Sequence, residues 1–299
     1  MTRRRGLAVR IGLAFAALAL VAAACTPSSP NGDPLWWSFH LSGWAPDGTY
    51  KVDSVYNAQG VATVHPLSGP SYQVYDNIGS ITSGRIDAGW NHVGDPDSRS
   101  GYIVYPYQSD NSAQGKLFNV ITPTGLSYDY QHLLASGEAS NNSFAAISPD
   151  GQWLVSGEWG TKSRLLVYPM PILNPSTAPT GGPLPLSGLI NLASPVRDIQ
   201  GCTFTSATRL LCSSDDPVPD LQPTPKPLVQ VDLASALSGA SVNATVTSLG
   251  ELPQVSACTG SFETEGLDFD IATSVLRVIV VPPAPCAIQS DVYQYVPSP

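Results

Sequence analysis

Ser71-Tyr72-Gln73-Val74-Tyr75, Lys116-Leu117-Phe118-Asn119-Val120, Arg164-Leu165-Leu166-Val167-Tyr168, Pro227-Leu228-Val229-Gln230-Val231 and Asp291-Val292-Tyr293-Gln294-Tyr295 read as five copies of one strand phrase. Self-similarity that returns along a chain at this scale is the signature of a repeat architecture. A ring of such repeats buries a shared core and leaves one central mouth where a ligand can sit. The phrase decides the fold class and does not name a reaction.

A second phrase precedes most copies of the first: a small residue, an apolar pair, a tight turn, then a strongly apolar strand. Val93-Gly94-Asp95-Pro96 leads to Gly101-Tyr102-Ile103-Val104, and Ala145 to Gly151 leads to Trp153-Leu154-Val155. Gly201-Cys202-Thr203-Phe204 leads to Arg209-Leu210-Leu211-Cys212, and Gly266-Leu267-Asp268-Phe269 leads to Leu276-Arg277-Val278-Ile279. Each reads as an inner hairpin. In Ser148-Pro149-Asp150-Gly151, Pro presets φ at the second turn position and Gly closes the turn. Short runs rich in β-branched and aromatic residues, bounded by Gly, Pro, Asn, Asp and Ser, give the all-β pattern. With 28 Pro and 26 Gly, long helices are excluded. Leu233-Ala234-Ser235-Ala236-Leu237 is the one stretch that reads as a helical turn.

The stretch Ala146 to Val155, with its S-P-D-G hairpin, resembles WD-like and periplasmic propeller repeats of bacteria. The resemblance implies a single β-propeller. Five copies imply five blades, with six as the alternative if the N-terminal segment forms a full blade. Spacing excess falls in Pro-rich insertions, Met170 to Leu186 and Asp215 to Pro227, which a propeller tolerates as surface loops. The last copy runs nearly to the C-terminus, so the last blade lacks its outermost strand. Leu35-Trp36-Trp37-Ser38-Phe39-His40 is expected to supply it and so remove an exposed sheet edge.

The N-terminus carries Arg3, Arg4, Arg5 and Arg10 ahead of an uncharged apolar run, Ile11 to Ala24. This is the pattern of a secretory signal. Val21-Ala22-Ala23-Ala24-Cys25 resembles a bacterial lipobox, with Ala22 where Leu is usual. The resemblance implies lipidation of Cys25 and attachment to the cell membrane from outside; ordinary cleavage after the alanines is the alternative. The expected organisation is a signal peptide over 1–24, a Pro/Ser tether over 25–34 and a β-propeller domain over 35–299. Without Cys25 an even set of four cysteines remains. The hairpin centred near Ala207 sets Cys202 opposite Cys212, which leaves Cys258 for Cys286. An exported setting favours disulfides over a metal site. Four of the 14 basic residues lie in the signal, leaving 10 against 23 acidic residues and a net charge of −13. That balance excludes nucleic acid as a partner.

Residues just before the inner hairpins are expected to line the central channel: His92, Asp95, Ser143, Gln200, Glu263 and Glu265. Glu263 and Glu265 at i and i+2 project from one face of a strand, where like charges could form an acid/base pair or a cation site. Alternatively, one bonds backbone amides and the other is solvated. His92 near Asp95 is either a functional pair or an Asp-Pro turn beside a channel histidine. No cofactor is expected; calcium would suit these oxygens better than zinc, since the 4 His are scattered. No G-x-S-x-G, P-loop or G-x-G-x-x-G is present. The six Trp are read as packing between blades or as stacking platforms. The leading expectation is a monomeric, envelope-anchored protein that captures a peptide, protein or glycan at the channel mouth. The alternative is a glycosidase-like hydrolase using Asp95 with Glu263 or Glu265.

Overall fold

The structure is a computed structural model that describes residues 39–41, 53–140 and 144–297. The expected signal and tether, Cys25 and Ser143 therefore lie outside the described residues. Chain order divides the strands into five successive antiparallel units. The first is Gly60–Val64 paired with Tyr72–Asp76. The second sets His92–Val93 and Asp97–Arg99 against Tyr102–Gln108, followed by Lys116–Ile121 and Ser127–His132. The third runs Ala146–Ile147, Trp153–Ser156, Thr161–Pro169 and Gly188–Arg197. The fourth runs Ile199–Ser206, Arg209–Ser214, Pro227–Leu233 and Val242–Glu251. The fifth runs Glu263–Asp270, Val275–Val281 and Ser290–Pro297.

The innermost strands close a cycle. Gly60–Val64 contacts Asp97–Arg99, which contacts Ala146–Ile147, then Ile199–Ser206, then Glu263–Asp270, which returns to Gly60–Val64. Sheets radiating from a closed ring of inner strands make a β-propeller. The expected N-terminal closure is present: Phe39–Leu41 and Asp53–Val55 both pair antiparallel with Ser290–Pro297, adding the missing outer edge to the fifth unit. Among the described residues the first unit has two strands, fewer than the others. Residues 234–237 are not helical; Ser83–Asp87, in the link after the first unit, is.

Apolar alternation fills the wedges between units. Leu165, Val167 and Ile190 of the third unit pack on Phe204, Leu210 and Val229 of the fourth. Leu211, Leu228 and Leu249 meet Leu267, Val278 and Tyr293 of the fifth. Phe118, Val120 and Tyr130 meet Leu154, Leu166 and Tyr168 between the second and third. Val61 and Ala58 meet Ile279 and Val292 where the ring closes. The outer strands of the third and fourth units also pair with each other in parallel, Ile190 opposite Val242, so each covers the other's edge.

Local chemistry explains the hairpins. At Ser148–Gly151, Gly151 takes φ +71° and donates to the Ser148 carbonyl, and the Ser148 hydroxyl accepts from the Trp153 amide. Cys202 sits directly opposite Cys212 in the register and the two are bonded, as are Cys258 and Cys286. The Met170 to Leu186 insertion folds back, and Gly182–Pro183 adds to the edge of the second unit.

The axis is closed by Asp95. Its Oδ1 accepts the Val61 amide and its Oδ2 the Leu267 amide, each at 3.1 Å, while its carbonyl accepts the Ala145 amide at 2.8 Å. A Cβ on Gly266 would lie 2.0 Å from Asp95 Oδ1, and one on Gly201 2.3 Å from Oδ2. The side chain thus touches or bonds the first, fourth and fifth units, and the backbone carbonyl of the same residue bonds the third. Glycine is required at those positions by space, not by turn geometry. Gly266→Ala is expected to lower stability by about 2 kcal/mol or more through overpacking. Gly84→Ala, in the exposed helix with nothing within 4 Å of the new methyl, is expected to leave stability unchanged or raise it by up to about 1 kcal/mol. Thermal melts of the two variants check this; equal losses would remove Asp95 as the reason for the glycine.

Candidate functional site

Downstream of Asp95 the axis opens into a pocket of about 370 Å³. All five units line it. The first contributes Thr63 and His65, the second Asp97 to Ser100, the third Ile147, the fourth Thr203 and Phe204, and the fifth Asp268 to Ala272. These are residues at the ends of the inner strands, where each enters its hairpin. A pocket made where five equivalent strand ends converge has rigid walls, because every wall is also a sheet.

The pocket's carboxylates are held by hydrogen bonds that cross between units. Asp97 accepts the Ile147 amide on Oδ2 and the Ser98 amide on Oδ1, both at 2.6 Å. Asp268 accepts the Thr63 hydroxyl at 2.5 Å and lies 3.5 Å from the Arg277 guanidinium. Asp270 accepts from His65 Nε2 at 2.9 Å, the Thr273 hydroxyl and the Ala272 amide. Burial pushes Asp97 up to about 7; the Ile147 amide and Arg99 act against that rise, and Asp268 adds to it. Burial raises Asp268 as well. For Asp270 burial acts upward, yet its hydrogen bonds, with Thr273 foremost, prevail and hold it below the ordinary range. The pocket therefore combines a carboxyl that titrates near neutrality with one that stays ionised. The Arg99 Nε–H is buried without an acceptor among the described residues.

Of the residues expected from the sequence, Asp95 is the plug itself, and none of those described lines this pocket. Asp95 is 1% exposed, and burial, the Leu267 and Val61 amides notwithstanding, pushes its carboxyl well above the ordinary range. It is a buried hub, not a group at an open mouth. Glu265 is buried and raised by burial and by Glu263 and Asp215; Glu263 is exposed. The register slips between Thr264 and Leu267, so simple i, i+2 alternation does not describe this strand. His92 is partly exposed, lowered by burial with Asp110 opposing, and Gln200 is partly exposed. The residues missed, His65, Asp97, Arg99, Asp268 and Asp270, share one signal: each follows the point where an inner strand passes Asp95. Among the described residues no group of His, Cys, Asp and Glu is arranged to hold a metal ion.

A second cleft, of about 660 Å³, lies between the first two units. It is lined by Tyr75, Trp90, Tyr105 and Tyr107 with Asp76, Arg85 and Asp129. It lies beside the first unit, which has two strands among the described residues. Arg85 fixes one wall by stacking on Tyr107 at 4.6 Å and forking onto Asp129 at 2.6 and 3.2 Å. Trp90 is buried in its floor, Trp153 packs in the core between the third and fourth units, and Trp159 is exposed.

No family model matches the chain, and comparison with curated proteins by sequence finds no match. Solved structures of similar shape include the following two. Native Bacillus subtilis arabinanase Arb43A is 13% identical with a TM-score of 0.42, over 83% of this chain and 100% of that one. The Pseudomonas aeruginosa periplasmic gluconolactonase PpgL is 14% identical with a TM-score of 0.35, over 66% of this chain and 56% of that one.

The Asp97 shift sets a pH dependence. A carboxyl raised on folding contributes stability that is complete below its unfolded value, about 3.9, and is lost as pH rises through about 7. Asp97→Asn does not titrate. Its melting temperature relative to wild type is therefore expected to rise by several degrees between pH 4 and pH 8. A difference that stays constant over that range would show that Asp97 ionises normally.

Proposed function

We propose that the chain is an exported β-propeller hydrolase whose substrate enters the axial pocket. The observation that carries this reading is Asp97, a pocket carboxyl poised near neutrality beside a second carboxyl, Asp268, in walls supplied by all five units. A general acid is most effective when its pKa lies near the working pH. In a glycosidase-like reaction Asp97 protonates the departing oxygen and Asp268 supports the cationic sugar or activates water. The pocket's size, its polar rim and Phe204 and Phe269 suit one small polar ring better than a chain of apolar groups.

Purified protein assayed on a panel of chromogenic glycosides checks this. Asp97→Asn is expected to lower kcat by about 10²- to 10⁴-fold and to flatten the alkaline limb of the pH profile. The second reading is capture without chemistry, favoured by the fact that Asp97 and Asp268 also tie neighbouring units together. Saccharide binding by calorimetry with no turnover by the wild type would select it.

The exported, membrane-anchored location belongs to the same proposal. It is supported by the N-terminal leader and by two disulfides, which persist in oxidising compartments. Among the described residues no helix is long and apolar enough to cross a membrane. Metabolic labelling with a fatty acid is expected to mark the wild type and to fail for Cys25→Ala; equal labelling would exclude Cys25 as the anchor.

A further inference from the structure

Three side chains from opposite ends of the chain form a hydrogen-bonded series at the rim of the axial pocket. Ser71 Oγ lies 2.7 Å from His65 Nδ1, and His65 Nε2 lies 2.9 Å from Asp270 Oδ1. Asp270 is almost fully covered, with its side chain 5% exposed, whereas that of His65 is 44% exposed and Ser71 is at the surface. Asp270 is itself fixed by the Ala272 amide at 3.0 Å and the Thr273 hydroxyl at 2.7 Å. An ionised carboxylate only accepts. The proton of the neutral imidazole therefore sits on Nε2, and Nδ1 offers its lone pair to the Ser71 hydroxyl. Nucleophile, base and orienting acid in hydrogen-bonded sequence are what activation of a hydroxyl requires.

Two further observations place a substrate beside this relay. His65 and Asp270 both line the axial pocket. Arg99 lines it too, and sets a guanidinium donor beside the space a substrate oxygen would fill.

We propose that Ser71, His65 and Asp270 constitute an acyl-hydrolase relay that cleaves carboxylic esters of small polyhydroxy alcohols held in the axial pocket. The inference rests on that pocket being the ligand site and is independent of Asp97 as an acid. Ser71 Oγ bonds to the ester carbonyl carbon while its proton passes to His65 Nδ1. The tetrahedral adduct collapses, the ester C–O bond breaks, and the proton on Nδ1 goes to the leaving alkoxide. Water then adds to the acyl-serine, giving its proton to His65, and the released Ser71 takes that proton back. The net change is ester plus water to carboxylic acid plus alcohol, with no redox step. Asp270 is a positioning residue: it orients the imidazole and stabilises its charged form.

The experiment is active-site labelling of the full chain with a fluorophosphonate probe, read by mass spectrometry, together with hydrolysis of p-nitrophenyl acetate and an acetylated monosaccharide. One label per molecule is expected, on Ser71. Ser71→Ala and His65→Gln are expected to lose the label and to slow ester turnover about 100-fold or more. Both positions are exposed, and an unchanged melting temperature shows that the loss is not unfolding. Asp270→Asn is expected to slow labelling and shift its pH profile, which a merely structural role would not do. Turnover of the acetylated monosaccharide by wild type with no hydrolysis of any chromogenic glycoside would support this relay and separate it from the glycosidase-like reading. Wild type left unlabelled, or Ser71→Ala labelled as fast as wild type, would overturn the relay. Ser71 labelling with sugar-ester turnover unaffected by Arg99→Ala would support the relay and overturn the pocket as its substrate site.

Discussion

The ring depends on one buried carboxyl. Asp95 reaches from the second unit across the axis to amides of the first and fifth, and its own carbonyl takes an amide of the third. A propeller with few units has a narrow axis, and five inner strands cannot approach it closely if each carries a side chain. The solution here is one polar side chain facing glycines, Gly60, Gly201 and Gly266. The polar group is not gratuitous. Inner strands expose amides that no neighbouring strand in their own sheet can satisfy, and leaving a buried donor unmade costs about 1–3 kcal/mol. A carboxyl that accepts from two units at once removes two such penalties. Its own desolvation is the cost, which the fold meets by raising its pKa.

That hub also divides the axis in space. Above it lie Glu263, Glu265 and Gln200; below it lies the pocket. The same economy recurs one step downstream, where Asp97 bonds the third unit, Asp268 bonds the first, and Thr203 accepts the Phe269 amide between the fourth and fifth. Inter-unit bonds and pocket chemistry therefore use the same carboxyls. Any reaction carried out there is performed by groups already fixed in place by the ring, which is the preorganisation that electrostatic catalysis needs.

What could be read from the chain is what local physics dictates. The Ser148–Gly151 turn, the opposition of Cys202 and Cys212, and the need for an N-terminal strand follow from turn chemistry, register and an unfilled sheet edge. The sequence places Asp95 on the channel, but its role as a buried hub cannot be read there, because it depends on three glycines from three other units. The axial pocket is hidden for the same reason: strand order reveals which residues flank an inner strand, but not where a plug leaves space. His65 and Asp270 are 205 positions apart, and no local motif announces them. The two-stranded first unit was hidden because its Tyr72 strand matches the phrase that elsewhere forms a third strand.

The relay residues sit at the seam where the ring closes. Ser71 and His65 belong to the hairpin of the first unit, Asp270 to the end of the inner strand of the fifth. The pair is local, six residues apart, and can form whenever that hairpin folds. The carboxylate arrives only when the fifth unit docks on the first, through Val61 and Ala58 against Ile279 and Val292, and when the strands at 39–41 and 53–55 complete the fifth sheet. A serine–histidine pair without its orienting acid lets the imidazole rotate and choose either tautomer. Ring closure thus does more than stabilise the fold: it selects the tautomer in which His65 Nδ1 faces the Ser71 hydroxyl. The complete series therefore needs both ends of the chain in place, since its carboxylate and its serine–histidine pair come from the two units that meet at the seam.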